Sequence, residues 1–185
     1  QLVASTATAY QPFVSSSDLT RQNLYFSPRR QGAGMINIEN VINSKVLLHS
    51  DVPYNSTTGE APRTKVELGD KLGTTFDITF TMDNYGSVAK TFDVLACLQT
   101  DSTTESNGRT NLASVNSYGS DIDAIEDGVM KVTSVDGGTI VSATDNINRY
   151  ADSASATQIS VPANSSAKIV VSVTLNEETM SAYDE

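Results

Sequence analysis

Between residues 75 and 83 the chain alternates apolar and polar side chains without a break. Phe76, Ile78, Phe80 and Met82 are separated by Thr75, Asp77, Thr79, Thr81 and Asp83. A strand points successive side chains to opposite faces, so a period of two buries one face and wets the other, which no helix does with this spacing. The buried face then requires a second layer to cover it. The same period returns at Phe92, Val94, Ala96 and Leu98 within residues 90–99, and at Ile169, Val171, Val173 and Leu175 within residues 167–175. Shorter strand-like runs lie at 45–49, 128–133, 139–142 and 158–161. Turn chemistry separates them, at Asn84-Tyr85-Gly86-Ser87, Asp136-Gly137-Gly138 and Pro162-Ala163-Asn164-Ser165-Ser166. The two strands at 75–83 and 90–99 are expected to form an antiparallel hairpin or a corner. About seven short strands with turns between them predict a mainly β chain, a sandwich of fibronectin type III or immunoglobulin architecture with Greek-key connections. No repeat in the range of roughly 20–50 residues is visible.

Composition bounds the partners. Hydrophobic residues make up 38% of the 185, enough for a lean core and too many for a disordered chain. The net charge of −10 and a single basic pair, Arg29-Arg30, argue against nucleic acid, which needs clustered cations for its phosphates. No apolar run approaches the roughly 18–20 residues of a membrane span. No basic leader precedes residue 1, which reads as the inside of a helix, so the chain reads as an excised piece of something longer. Cys97 is the one cysteine, so no internal disulfide forms; its apolar neighbours Val94, Leu95, Ala96 and Leu98 predict a buried structural thiol.

The rest of the chain is less regular. Residues 1–9 read as the last turns of a buried helix and 10–27 as a loop. The glycines Gly32 and Gly34 fit a close backbone approach. Residues 35–43 carry Met35, Ile36, Ile38, Val41 and Ile42 at a spacing that predicts a short helix with one buried face. Residues 51–62 read as a loop. Residues 100–127 are polar and read as a surface excursion with a short helical turn at 121–126.

The chemistry-bearing patterns fail one after another. A serine hydrolase needs Ser, His and an acid in geometric reach. His49 is the single histidine, followed by Ser50-Asp51, and is read as a polar residue at a strand end; no Gly-x-Ser-x-Gly elbow occurs. Zinc needs several His or Cys ligands, and the chain has one of each. Asp121 and Asp123 match the first acids of a calcium loop, but Ile125 and Glu126 break the pattern and no closing glutamate follows, so the segment reads as a solvated acidic turn. Gly32-Ala33-Gly34 lacks the third glycine and the preceding strand of a dinucleotide motif. Carboxylate pairs for glycoside hydrolysis cannot be assigned. Asn55-Ser56-Thr57 and Asn164-Ser165-Ser166 match the glycosylation acceptor and read as turns. No residue is assigned a catalytic, cofactor-binding or metal role.

Two stretches resemble a known family. Leu2-Val3-Ala4-Ser5-Thr6-Ala7, followed by Ser27-Pro28-Arg29-Arg30-Gln31-Gly32-Ala33-Gly34-Met35-Ile36-Asn37, resembles the end of the catalytic domain of large subtilisin-like proteases. From Lys45 the chain is similar to the first fibronectin-type domain of cell-envelope proteinases of the lactocepin and streptococcal complement-cleaving type. Lys45-Val46-Leu47-Leu48, the strand from Phe76 to Asn84 and Val161-Pro162-Ala163-Asn164-Ser165-Ser166 carry that similarity. The resemblance implies that 1–43 is a C-terminal remnant of a protease domain and 44–185 a fibronectin-type sandwich lacking its last strand. It places the family's catalytic Asp, His and Ser before residue 1, so this chain is expected to be a non-catalytic spacer without cofactors. Its parent would be a secreted or wall-anchored serine endopeptidase of a Gram-positive bacterium. Expected partners are the parent's own catalytic domain and a peptide or protein substrate; the open sheet edge and uncovered apolar residues favour a dimer of the truncated chain. The alternative is a cell-surface adhesin-type binding module with no enzymatic parent, which explains the Ser/Thr-rich strands equally well and leaves 1–43 unexplained. The Thr100–Asp127 insert has no counterpart in the family.

Overall fold

The computed structural model describes residues 33–51, 73–97, 101–114, 128–149 and 155–176, with residues 7, 57, 63, 66 and 68 between them. The expected helix at 1–9, the loops at 10–27 and 51–62 and the acidic turn at 121–126 lie outside the described residues, wholly or nearly so.

The chain is mainly β. Among the described residues one short helix, α1 (Ile38–Asn43), precedes nine strands: β1 (Val46–Ser50), β2 (Thr75–Asn84), β3 (Lys90–Val94), β4 (Asp101–Ser106), β5 (Arg109–Ser114), β6 (Val129–Asp136), β7 (Thr139–Ser142), β8 (Thr157–Val161) and β9 (Ser165–Thr174). Seven of them form two antiparallel sheets, in the orders β1-β2-β9-β6 and β3-β8-β7. One core joins the two. Met82, Met130, Val132, Ala167, Ile169, Val171 and Val173 come from the four-stranded sheet, and Ile159 and Val161 from the three-stranded one.

Alternation builds this core directly. Along the ten-residue β2–β9 ladder, Phe76 faces Val173, Ile78 faces Val171, Phe80 faces Ile169 and Met82 faces Ala167, so four apolar cross-strand pairs line one face. In β6 the inward residues Val132 and Val135 are three apart, which strict alternation would split between faces. A bulge between Val132 and Ser134 absorbs the extra residue and returns both to the core side.

Strands β2 and β3 belong to different sheets, so the expected hairpin-or-corner is a corner, and Gly86 lies in it. Strands β6 and β7 part in the same way at Gly137, whose φ of 78° and whose position, with a Cβ falling 2.3 Å from the Ser166 carbonyl oxygen, exclude any side chain. Between β7 and β8 the chain crosses back through Ile147 and Asn148, both fully buried. The Ile147 amide donates to the Met130 carbonyl, the Ala96 amide to the Ile147 carbonyl and the Arg149 amide to the Ala96 carbonyl, stitching the two sheets together.

Three expectations are corrected. The helix exists but begins at Ile38, where the Asn37 side chain accepts from the Asn40 amide at 2.9 Å. It buries no residue: Met35, Ile36, Ile38 and Ile42 are all more than three-fifths exposed. Cys97 is exposed, not buried. The inward parity of this segment is Phe92, Val94 and Ala96, which puts Leu95 and Cys97 on the other face. Finally, the polar stretch after residue 100, read as a surface excursion, contains a two-stranded hairpin, β4–β5; the helical turn expected at 121–126 lies outside the described residues. Ser106 pairs with Arg109 across Asn107-Gly108, both at positive φ, the geometry of a type I′ turn. Among the described residues no helix is long and apolar enough to cross a membrane.

Candidate functional site

Polar chemistry collects on the outer face of the four-stranded sheet. On β2 the outward positions are Asp77, Thr79, Thr81 and Asp83, opposite the buried parity. The β1–β2 register sets His49 against Thr81, and the β2–β9 register sets Asp83 against Ser166 and Thr81 against Lys168. Antiparallel pairing thus brings together residues 34 and 83 positions apart in the chain.

Asp83 is the hub. Its Oδ1 accepts from the Ser166 hydroxyl at 2.5 Å, and its Oδ2 accepts from the Tyr85 hydroxyl at 2.9 Å and faces His49 Nε2 at 3.0 Å. The other ring nitrogen, Nδ1, stands 2.8 Å from the Ser50 carbonyl oxygen. Both ring nitrogens therefore face acceptors; a doubly protonated ring donates to both, a neutral ring to one. The His49 and Asp83 side chains are 14% and 16% exposed. Beside them Asp51 forms an ion pair with Lys168 and accepts from the Thr81 hydroxyl at 3.2 Å. Further along the face, the Ser172 hydroxyl donates to Asp77 and lies 3.2 Å from that of Thr133.

Burial alone would raise the Asp83 carboxyl. The hydrogen bonds from Ser166, Tyr85 and His49, with the imidazole's charge, outweigh burial and hold it below the ordinary aspartate range. The same contact raises the Tyr85 phenol, since ionising it would set two anions side by side. Lys168 lowers the Asp51 carboxyl, chiefly through their hydrogen bond.

A depressed folded-state pKa stabilises the fold above the unfolded value, and that contribution disappears as pH falls through the folded value. Asp83 should therefore steepen the acid limb of the stability curve below about pH 4. Denaturant midpoints measured down this range should fall more steeply in the native chain than in Asp83→Asn. Equal slopes would show that the carboxylate does not hold this face together.

The cluster contains the residue types of a serine hydrolase in another order. Nucleophilic catalysis places the imidazole between serine and acid, so that the ring takes the hydroxyl proton. Here the acid lies between, binding the Ser166 hydroxyl with one oxygen and facing the ring with the other. The arrangement acts as a clasp: β1 and β9, on either side of β2, and the corner residue Tyr85 are tied to one carboxylate.

His49 lies near the end of β1, as its sequence context implies, but with a partner that context does not show. Asp83, Tyr85 and Ser166 carry no local signal beyond their polar parity and turn positions. Asn164 stands exposed in the β8–β9 turn at a φ of 49°, its amide donating to the Gly86 carbonyl at 3.0 Å, as the turn reading expects. Among the described residues no group of three or more His, Cys, Asp or Glu side chains is placed to hold a metal ion. The acidic segment beginning at Asp121 lies outside the described residues as far as Asp127. Neither a protein family nor a curated protein matches the chain.

Proposed function

We propose that this chain is a non-catalytic accessory module of a secreted or wall-anchored subtilisin-like serine endopeptidase. The carrying observation is the string Ser27-Pro28-Arg29-Arg30-Gln31-Gly32-Ala33-Gly34, with Leu2-Val3-Ala4-Ser5-Thr6-Ala7 at a suitable distance before it. In this reading residues 1–43 close a protease domain whose catalytic residues lie upstream, and the β-rich part packs against that domain as a spacer whose loops reach toward peptide substrate.

The two antiparallel sheets around one core support the sandwich half of the reading. Read as a fibronectin- or immunoglobulin-type sandwich, β1, β2, β3, β6 and β8 take the places of strands A, B, C, D and F. Strand β9 stands where E pairs between B and D, and β7 stands in the place of G beside F. In this reading the module is a variant of that architecture with two strands exchanged between sheets. The acid-centred clasp supports the non-catalytic half, because neither ring nitrogen of His49 is directed at the Ser166 hydroxyl.

A peptidase assay on the purified chain, with casein and short chromogenic peptides, should show no turnover above buffer. Turnover abolished by a serine-directed inhibitor would overturn the reading. The coding sequence upstream of Gln1 gives an independent check. A Gly-Thr-Ser nucleophile motif is expected there; a further sandwich in its place would favour a surface adhesin.

A further inference from the structure

Asn107 and Gly108 are the two loop residues of the β4–β5 hairpin, set between the paired Ser106 and Arg109. Their φ angles are 54° and 68°, and both residues are exposed. The position that a side chain on Gly108 would occupy has no atom within 4 Å. No other asparagine in the sequence is followed by glycine. Glycine has no Cβ to shield its amide nitrogen, and its backbone rotates more freely than that of any other residue. It therefore offers an asparagine carboxamide the least hindered neighbouring nucleophile.

We infer that Asn107 is a self-modification site, at which the hairpin tip converts to aspartate and isoaspartate without an enzyme. The Gly108 amide gives its proton to hydroxide and its nitrogen attacks Asn107 Cγ. The new N–C bond closes a five-membered imide, the Cγ–Nδ2 bond breaks, and the amide nitrogen leaves as ammonia after taking a proton from water. Water then opens the ring. Attack at Cγ gives aspartate, and attack at the backbone carbonyl leaves the chain running through Cγ, as isoaspartate. The balance is one water in and one ammonia out, with no change of oxidation state.

The two products act differently on the fold. Both add one negative charge to a chain already at −10. Asp-Gly still satisfies a type I′ turn, so aspartate leaves the hairpin in register. Isoaspartate adds a methylene to the backbone of a two-residue loop, and the loop length sets the pairing of β4 with β5. The tip is thus a slow, one-way timer on the hairpin, and either product places a carboxylate two residues before Arg109.

Incubating the full chain at mildly alkaline pH, followed by charge separation and peptide mapping, tests this. The expected product is more acidic by one charge and heavier by about one mass unit, with isoaspartate in the peptide containing Asn107 before any other asparagine peptide. Asn107→Gly keeps a Gly-Gly loop suited to the same turn and should lose the acidic shift. An unmodified Asn107, a change that begins at another asparagine such as Asn164, or an unaltered acidic shift in Asn107→Gly would each overturn the inference.

Discussion

Ile169→Ala should lower the free energy of unfolding by about 2–5 kcal/mol, a large part of what a domain of this size has. Ile169 is fully buried on β9, with Phe80 opposite it on one flank and Val135 on the other, so its side chain touches both neighbouring strands of the central ladder. Truncation loses the transfer free energy of the removed carbons and leaves a void that a central strand, fixed by ladders on both sides, cannot close. Ile42→Ala is the matched control. The same amount of carbon is removed from a helix position that is 68% exposed, and the change should stay within about 0.5 kcal/mol. Urea midpoints for the two variants should therefore separate widely. Similar losses would mean that α1 is covered in solution; a negligible loss at Ile169 would mean that the two sheets do not share the core.

What the sequence tells about this fold depends on how local the information is. The β2 and β9 ladders are legible because alternation over eight to ten residues has one structural solution, and each buried residue of the pair is named by its parity. The same rule, applied past Val94, puts Cys97 outside; the hydrophobic neighbours alone give the wrong answer, because a run of apolar residues does not say which face each one takes. A helix within 35–43 is legible from its spacing, but its start after Asn37 and its exposure are not, since burial is a property of what packs on it. The β4–β5 hairpin is the clearest missed signal. Asn107-Gly108 is a type I′ turn dipeptide, but the flanking Asp101–Ser106 and Arg109–Ser114 lack the apolar alternation that marks a strand in sequence.

The clasp was less accessible still. His49, Asp83 and Ser166 meet because β1, β2 and β9 are neighbours, a fact set by sheet order and invisible in any window of sequence. Parity narrows the choice: once β2 pairs antiparallel with its predecessor, the outward Asp83 must lie near an outward residue of β1, and His49 is one of two such residues. What parity cannot supply is the strand on the other side. The β2–β9 pairing joins the second strand to the last, and only that pairing delivers the Ser166 hydroxyl.

Asn84 shows the same limit with a larger energetic consequence. As part of Asn84-Tyr85-Gly86-Ser87 it reads as a turn residue, yet its side chain is 1% exposed and lies where the two sheets meet. Its amide nitrogen, with two hydrogens shared among three acceptors, lies 3.0–3.1 Å from the carbonyl oxygens of Val88, Val161 and Pro162, and its oxygen accepts from the Gly86 amide at 2.9 Å. One side chain thus fixes the end of β2 to the corner that leads into β3 and to the end of β8 in the opposite sheet. Asn84→Ala strands backbone carbonyls and an amide that water reaches poorly, and should cost about 2–4 kcal/mol. Asn84→Asp separates hydrogen bonding from size. The carboxylate keeps the acceptor for Gly86 but turns an anion toward three carbonyl oxygens, so the variant should be weaker than Asn84→Ala near pH 7. It should recover part of the loss near pH 4, where a protonated acid can donate again. Thermal melts of both variants at the two pH values give the readout. If Asn84→Asp is as stable as the native chain at neutral pH, the amide is not what holds the sheets together at this corner.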